Sequence, residues 1–202
     1  MKHRVFVSYH HKNDQAYKEY LINWAEENNI FVDWSVDTGD ISDDLSDEQI
    51  REKIRDEYLR DCRVTILLVG TETKYRKHVD WELYSSMHNT QLNKKSGIIV
   101  ILLPSAKSEF FTVGDDNEKS AIYPTVTDWT TINTYTEFEH RYPYMPERIL
   151  DNLVNPNCNI AVINWKDLTV DGLKLMIDNA YHNADTNSYD MHREMRRRNY
   201  NG

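Results

Sequence analysis

The chain has 202 residues, 40% of them hydrophobic, with six glycines and five prolines, so it can bury a real core in one domain and does not read as a linker or a disordered chain. Its 24 basic against 33 acidic residues leave a formal charge of −9, which argues against a general nucleic-acid binder. Cys62 and Cys158 are too few for a disulfide framework or a thiolate zinc site, and the longest apolar run, residues 98–103, is far too short to span a membrane. The N-terminal apolar stretch stops at Ser8, short of a signal-peptide core. These features predict a soluble, reduced, cytoplasmic protein.

Residues 4–9 form a β-branched and aromatic run that predicts a first strand. Asn13 or Asp14 can cap a following helix in which Tyr17, Tyr20, Leu21 and Trp24 share a face. Residues 30–34 read as a second strand. An acidic stretch follows: residues 37–61 hold ten acidic and four basic side chains. Within it, Ser46 and Gln49 make a capping-box pattern ahead of Ile50, Ile54 and Tyr58. Residues 64–69 and 97–103 are fully apolar strands, and between them Val79, Leu83 and Met87 mark a helix. Strands without polar alternation are covered on both faces, the habit of parallel sheets.

The βα rhythm breaks over residues 104–158, too long for a plain loop. The Tyr, Thr and Trp content of residues 123–136 suggests a small hairpin, and Pro146 opens a short helix. Residues 159–165 read as a fifth strand, and Leu173, Ile177 and Tyr181 mark a last helix. The tail, residues 189–202, is polar, and its Arg196-Arg197-Arg198 reads as a solvated charge run. The expectation is a single α/β domain over residues 1–202, with a flavodoxin-like, five-stranded, mainly parallel sheet of order 2-1-3-4-5 and an insertion at 104–158. Ligands of such sheets bind beyond the carboxyl ends of the strands, at the switch point between strands 1 and 3.

Several motifs fail at that place. Neither glycine-rich phosphate fingerprint is present. Asp37-Thr38-Gly39-Asp40 cannot be a calcium loop, because Trp34 would stand where the first carboxylate belongs. His10 and His11 have no third ligand at metal spacing, so no metal is expected. Gly70 stands where a phosphoacceptor aspartate would be needed. What survives is Glu82, beside Trp81 on the first turns of the third helix. An acid there is also what an ordinary surface helix favours. Phe6 and Trp34 equally suit core packing, and Ser8 and Tyr9 a turn at the strand end.

At these residues the sequence becomes specific. Val5-Phe6-Val7-Ser8-Tyr9-His10-His11 resembles the opening strand of Toll/interleukin receptor (TIR) domains, in particular the bacterial Thoeris antiphage TIR-like family. Ser35-Val36-Asp37-Thr38-Gly39-Asp40, Val69-Gly70-Thr71-Glu72-Thr73 and His78-Val79-Asp80-Trp81-Glu82-Leu83 resemble its later blocks. Met145-Pro146-Glu147-Arg148 and residues 193–198 are similar to its C-terminal part. The resemblance implies a flavodoxin-like fold and an enzyme that breaks the nicotinamide–ribose bond of NAD+, which enters as substrate rather than cofactor. It implies Glu82 as the catalytic carboxylate, with His78 standing where the family has a tryptophan. Phe6, Ser8, Tyr9 and Trp34 would line the pocket. Helix N-terminal amides near Asp14, with Lys12, Lys74, Arg76 or Lys77, could then meet the pyrophosphate. It further implies a phage-derived trigger and an ADP-ribose-derived, cyclic signal nucleotide read by a separate effector, and leaves room for a homo-oligomer, with no nucleic acid or membrane as partner. Two other readings stay open: a non-catalytic TIR interaction module, and an enzyme like the nucleoside deoxyribosyltransferases.

Overall fold

A computed structural model describes residues 2–35, 45–46, 49, 52–54, 56, 59, 61–89 and 94–200. Among these, five strands form one parallel sheet in the order β2-β1-β3-β4-β5: β1 (Arg4–Ser8), β2 (Val32–Asp33), β3 (Val64–Val69), β4 (Gly97–Leu102) and β5 (Ala161–Asn164). The expected order is the observed one. All residues of β3 and β4 are buried, as continuous apolar runs require in the middle of a parallel sheet.

Side chains alternate between two cores. On one face Val5, Val7, Ile66, Leu68, Ile99, Ile101 and Ile163 pack against α1 (His11–Glu27) and α6 (Val170–Thr186). On the other, Leu67, Val69, Ile98, Val100 and Val162 meet α2 (Lys77–Met87). Helices α4 (Tyr135–Arg141) and α5 (Glu147–Leu153) complete this second layer: Phe138, Tyr142, Ile149 and Leu150 are buried in it. The insertion is therefore half of a core layer rather than an appendage. Gly97 sets the spacing on the first face, because a Cβ there would lie 1.9 Å from the Ala180 carbonyl oxygen of α6. No helix of the described residues is long and apolar enough to cross a membrane.

Several local expectations are corrected. Helix α1 starts at His11, before both candidate caps; the His10 carbonyl accepts the Asn13 and Asp14 amides, and Asp14 lies buried in the first turn. Strand β2 is shorter than residues 30–34, because the Ile30 amide is spent closing α1 on Ala25, beyond the left-handed Asn29 (φ 53°). The reciprocal Ser46–Gln49 capping bonds form as the sequence predicts, whereas most of the acidic stretch and the Asp37–Asp40 segment lie outside the described residues. No hairpin forms at residues 123–136. Pro124 has no amide to give a ladder, and the aromatic residues pack on each other instead, Phe111 stacking on Tyr123 at 3.8 Å with Trp129 edge-on to both. The insertion's pairing with the sheet is a single antiparallel bridge, Thr112 to Val162. It is followed by α3 (Asp116–Ile122).

Candidate active site

Ser8 ends β1 on the face that carries Phe6, and both point toward α2. Helix α2 is set down on this face by Val79, Leu83 and Met87, all buried in the second core. That register carries Glu82 inward, one position from the apolar stripe. Its carboxylate Oε2 accepts a hydrogen bond from Ser8 Oγ at 2.6 Å, with Glu82 only 2% exposed and Ser8 fully buried. Burial pushes the Glu82 carboxyl up to about 8, against the opposing pull of the Ser8 hydroxyl.

Around this pair lies a third apolar cluster of Phe6, Trp81, Ile54, Leu59, Cys62 and Met195. The indole of Trp81 donates to the Arg196 carbonyl at 2.7 Å, His78 meets its edge with ring centres 5.0 Å apart, and Lys77 Nζ lies 5.1 Å from its ring centre. His78 is thus placed by Trp81 rather than by Glu82. Two residues from Glu82, Asp80 points the other way. It receives a two-pronged ion pair from the buried Arg148 of α5 (Nε–Oδ1 2.9 Å, Nη2–Oδ2 3.1 Å) and the Arg196 amide at 2.9 Å. Arg148 in turn donates to the carbonyls of Arg193 and Glu194.

Of the sequence-predicted residues, the structure brings Phe6, Ser8 and Glu82 together, with Lys77 one ring away across Trp81. It does not bring in Tyr9, Lys12 or Trp34. Strand alternation turns Tyr9 to the opposite face, where it is buried in the α1-side core, stacks on His11 and donates its hydroxyl to Gln15. Lys12 is exposed on α1. Trp34 is 36% exposed at the sheet edge, its ring covered by the Arg4 guanidinium at 4.2 Å. The polar tail is also corrected: its Arg196 is no solvated charge, being half-buried and bonded to Glu147 and to the Lys74 carbonyl.

On the α1 side of the same strand ends lies a second buried acid, Asp14, whose own carboxylate the sequence offered as a helix cap. Asp14 sits over Gly70, where a Cβ would come within 2.8 Å of its carboxylate oxygens, and burial raises its carboxyl to about 6. Neighbouring His10 is buried, its Nδ1 has no hydrogen-bond partner among the described residues, and burial lowers its pKa. Among the described residues no three His, Cys, Asp or Glu side chains gather as metal ligands. Cys62 and Cys158 are both free thiols.

A parallel sheet ordered β2-β1-β3-β4-β5, with a buried glutamate facing the carboxyl end of β1, is the architecture of a TIR-like domain. The sequence matches the family model of the Thoeris protein ThsB, TIR-like domain, over residues 6–108, and the chain belongs to that family. It is accordingly a TIR protein of antiphage defence. No curated protein matches the sequence. The matched span includes Phe6, Ser8, Lys77 and Glu82 and ends before α3, so Arg148 and the tail that ties α2 down fall outside it.

Proposed function

We propose that the chain cleaves the nicotinamide–ribose bond of NAD+ with Glu82 as its catalytic carboxylate. The observation that carries this reading is the Ser8–Glu82 pair, a buried acid with a single hydrogen-bond donor among the described residues, beside the aromatic side chains of Phe6 and Trp81. The chemistry needs only one carboxylate. Ordinary glycosidases use two, because an acid must protonate the leaving oxygen. Nicotinamide carries the positive charge in NAD+ and departs neutral, so what remains to be stabilised is oxocarbenium character on the ribose. An ionised Glu82 beside the ribose hydroxyls does this electrostatically in a site shielded from water. Those hydroxyls, as donors to the carboxylate, also draw its pKa down from about 8 toward the working range.

Water attacking the ribose gives ADP-ribose, and an adenine nitrogen gives a cyclic isomer. In the proposed pathway that product is the signal read by a separate effector, and a phage-derived component is the trigger. NAD+ is the substrate, and no cofactor takes part. The test is nicotinamide release from NAD+, with and without extract of phage-infected cells, products being separated by chromatography. Wild-type turnover should vanish in Glu82→Gln. Turnover unchanged in that variant removes Glu82 from the chemistry. Defence that survives Glu82→Gln while surface changes abolish it gives the role to an interaction module, the reading that the deep burial of Glu82 favours.

A further inference from the structure

Residues 187–200 leave α6 and run across α5 and the start of α2 with neither helix nor strand. Their two halves are held differently. The first half is anchored by paired side chains. Asn152 exchanges bonds with the Asp190 backbone, and Arg193 makes a two-pronged ion pair with Asp151 (2.7 and 3.1 Å) and reaches Glu147. The second half, 195–200, is held at its start by Arg196, whose amide meets Asp80 and whose guanidinium reaches Glu147 and the Lys74 carbonyl, and beyond it by single bonds. Met195 is its one buried side chain, and residues 197–200 are all exposed.

What this second half touches is the wall of the Glu82 site. Met195 packs in the same cluster as Phe6 and Trp81. The Arg196 carbonyl takes the Trp81 indole N–H. Asn199 Oδ1 accepts the Lys77 amide at 2.9 Å, the first N–H of α2, whose own N-cap residue makes no side-chain cap. The Tyr200 amide donates to the Tyr75 carbonyl at 3.0 Å, so the segment also pins the turn that leads into α2.

Glu82 is 2% exposed with this segment in place, so no ribose reaches it until part of its wall moves. We propose that residues 195–200 are an autoinhibitory strap, and that its release from Trp81 and the α2 N-terminus opens the Glu82 site to NAD+. The inference rests on the reading of Glu82 as the catalytic carboxylate and adds how that site is kept shut. Residues 187–194 stay anchored through Asn152, Asp151 and Arg148 and limit the movement to the strap.

The test uses the full chain with Met195→Asp, which puts a charge where the strap buries its one apolar group, and Asn199→Ala, which removes a single exposed-side bond and leaves the core intact. Thermal melting reports folding, and hydrogen exchange of residues 75–82 reports strap release. Nicotinamide release is measured with and without extract of phage-infected cells, with Glu82→Gln added to Met195→Asp as the blank. The expected result is faster exchange over 75–82 in both variants. Untriggered turnover should rise about tenfold or more in Met195→Asp and about two- to threefold in Asn199→Ala, the size of shift expected when a closed state loses a buried side chain or one hydrogen bond. Variants that stay folded and exchange faster, yet turn over NAD+ no faster than untriggered wild type while triggered wild type is active, overturn the strap and leave the enzyme standing. Exchange unchanged in both folded variants also overturns it. If no form releases nicotinamide even with the extract, the enzyme reading falls, and the strap as its gate falls with it.

Discussion

Asp80 and Glu82 sit two residues apart on one helix, and both are buried, yet the two faces of α2 treat them in opposite ways. At about 100° per residue their side chains point to nearly opposite sides. On the Asp80 side an arginine from α5 and an amide from the tail meet the carboxylate with three donors. On the Glu82 side one hydroxyl does so, among apolar walls. The first arrangement joins α2, α5 and the tail into one piece. The second leaves, among the described residues, a buried acid with one hydrogen-bond donor and a raised pKa. In the proposed function it is burial with few donors, not burial alone, that sets Glu82 apart from Asp80.

The contrast is broken most severely from the Asp80 side. Arg148→Met strands a buried carboxylate and should cost about 3–5 kcal/mol in urea unfolding, much of it recovered when Asp80→Asn is added. A loss below about 1 kcal/mol would put the two faces on an equal footing.

Glu82→Gln should act in the other direction. The native carboxyl holds its proton up to about pH 8, while in the unfolded chain it ionises near the ordinary glutamate value of 4.5. The folded state therefore binds the extra proton between these values, and wild-type stability falls as pH rises through that window and levels off above it. Glutamine does not titrate. The variant should thus melt above wild type by an amount that opens between pH 5 and 8 and reaches on the order of a few kcal/mol, while losing all turnover. Melting curves over that range check it, and a constant offset would deny the raised pKa.

Ser8→Ala removes the hydroxyl that donates to Glu82. About 1 kcal/mol of stability should go, and the Glu82 titration should move further up, seen as an alkaline shift in the pH profile of nicotinamide release. Trp34→Ala should do least. Loss of the exposed contact with Arg4 should cost under about 1 kcal/mol, and a large drop would mean that the ring is more than an edge cover.

Much of the sheet could be read directly, because its strands carry their own signature. The runs at 64–69 and 97–102 have no polar alternation, which demands cover on both faces and so a parallel arrangement. Glu82 could be located because Val79, Leu83 and Met87 fix the buried stripe beside it. Its partner could be guessed only from the position of Ser8 at a strand end. Other features depend on contacts that no local pattern encodes. Arg148 lies 68 residues from Asp80, and nothing in Pro146-Glu147-Arg148 announces a buried ion pair. The tail reads as polar because its partners, Asp151 and Glu147 for Arg193 and the Asp80 and Trp81 side chains for the Arg196 backbone, are distant in sequence and leave no local pattern. Tyr9, one residue past Ser8, packs in the core on the other face of the sheet, a placement that a residue expected in the turn does not announce. The aromatic run at 123–136 satisfied strand propensity equally well by stacking on itself.

The bridge between Thr112 and Val162 has a bearing on assembly. In a parallel sheet the last strand offers a row of unmatched amides and carbonyls, an open template for a neighbouring molecule. Here the Thr112 amide donates to the Val162 carbonyl at 2.9 Å and the Val162 amide returns the bond at 2.7 Å, so β5 is already occupied by its own chain. A strand added on that flank would first have to displace this bridge. Stacking of molecules there that leaves the bridge in place would use side chains of helices and loops, which are surfaces that sequence can vary without disturbing the ladder.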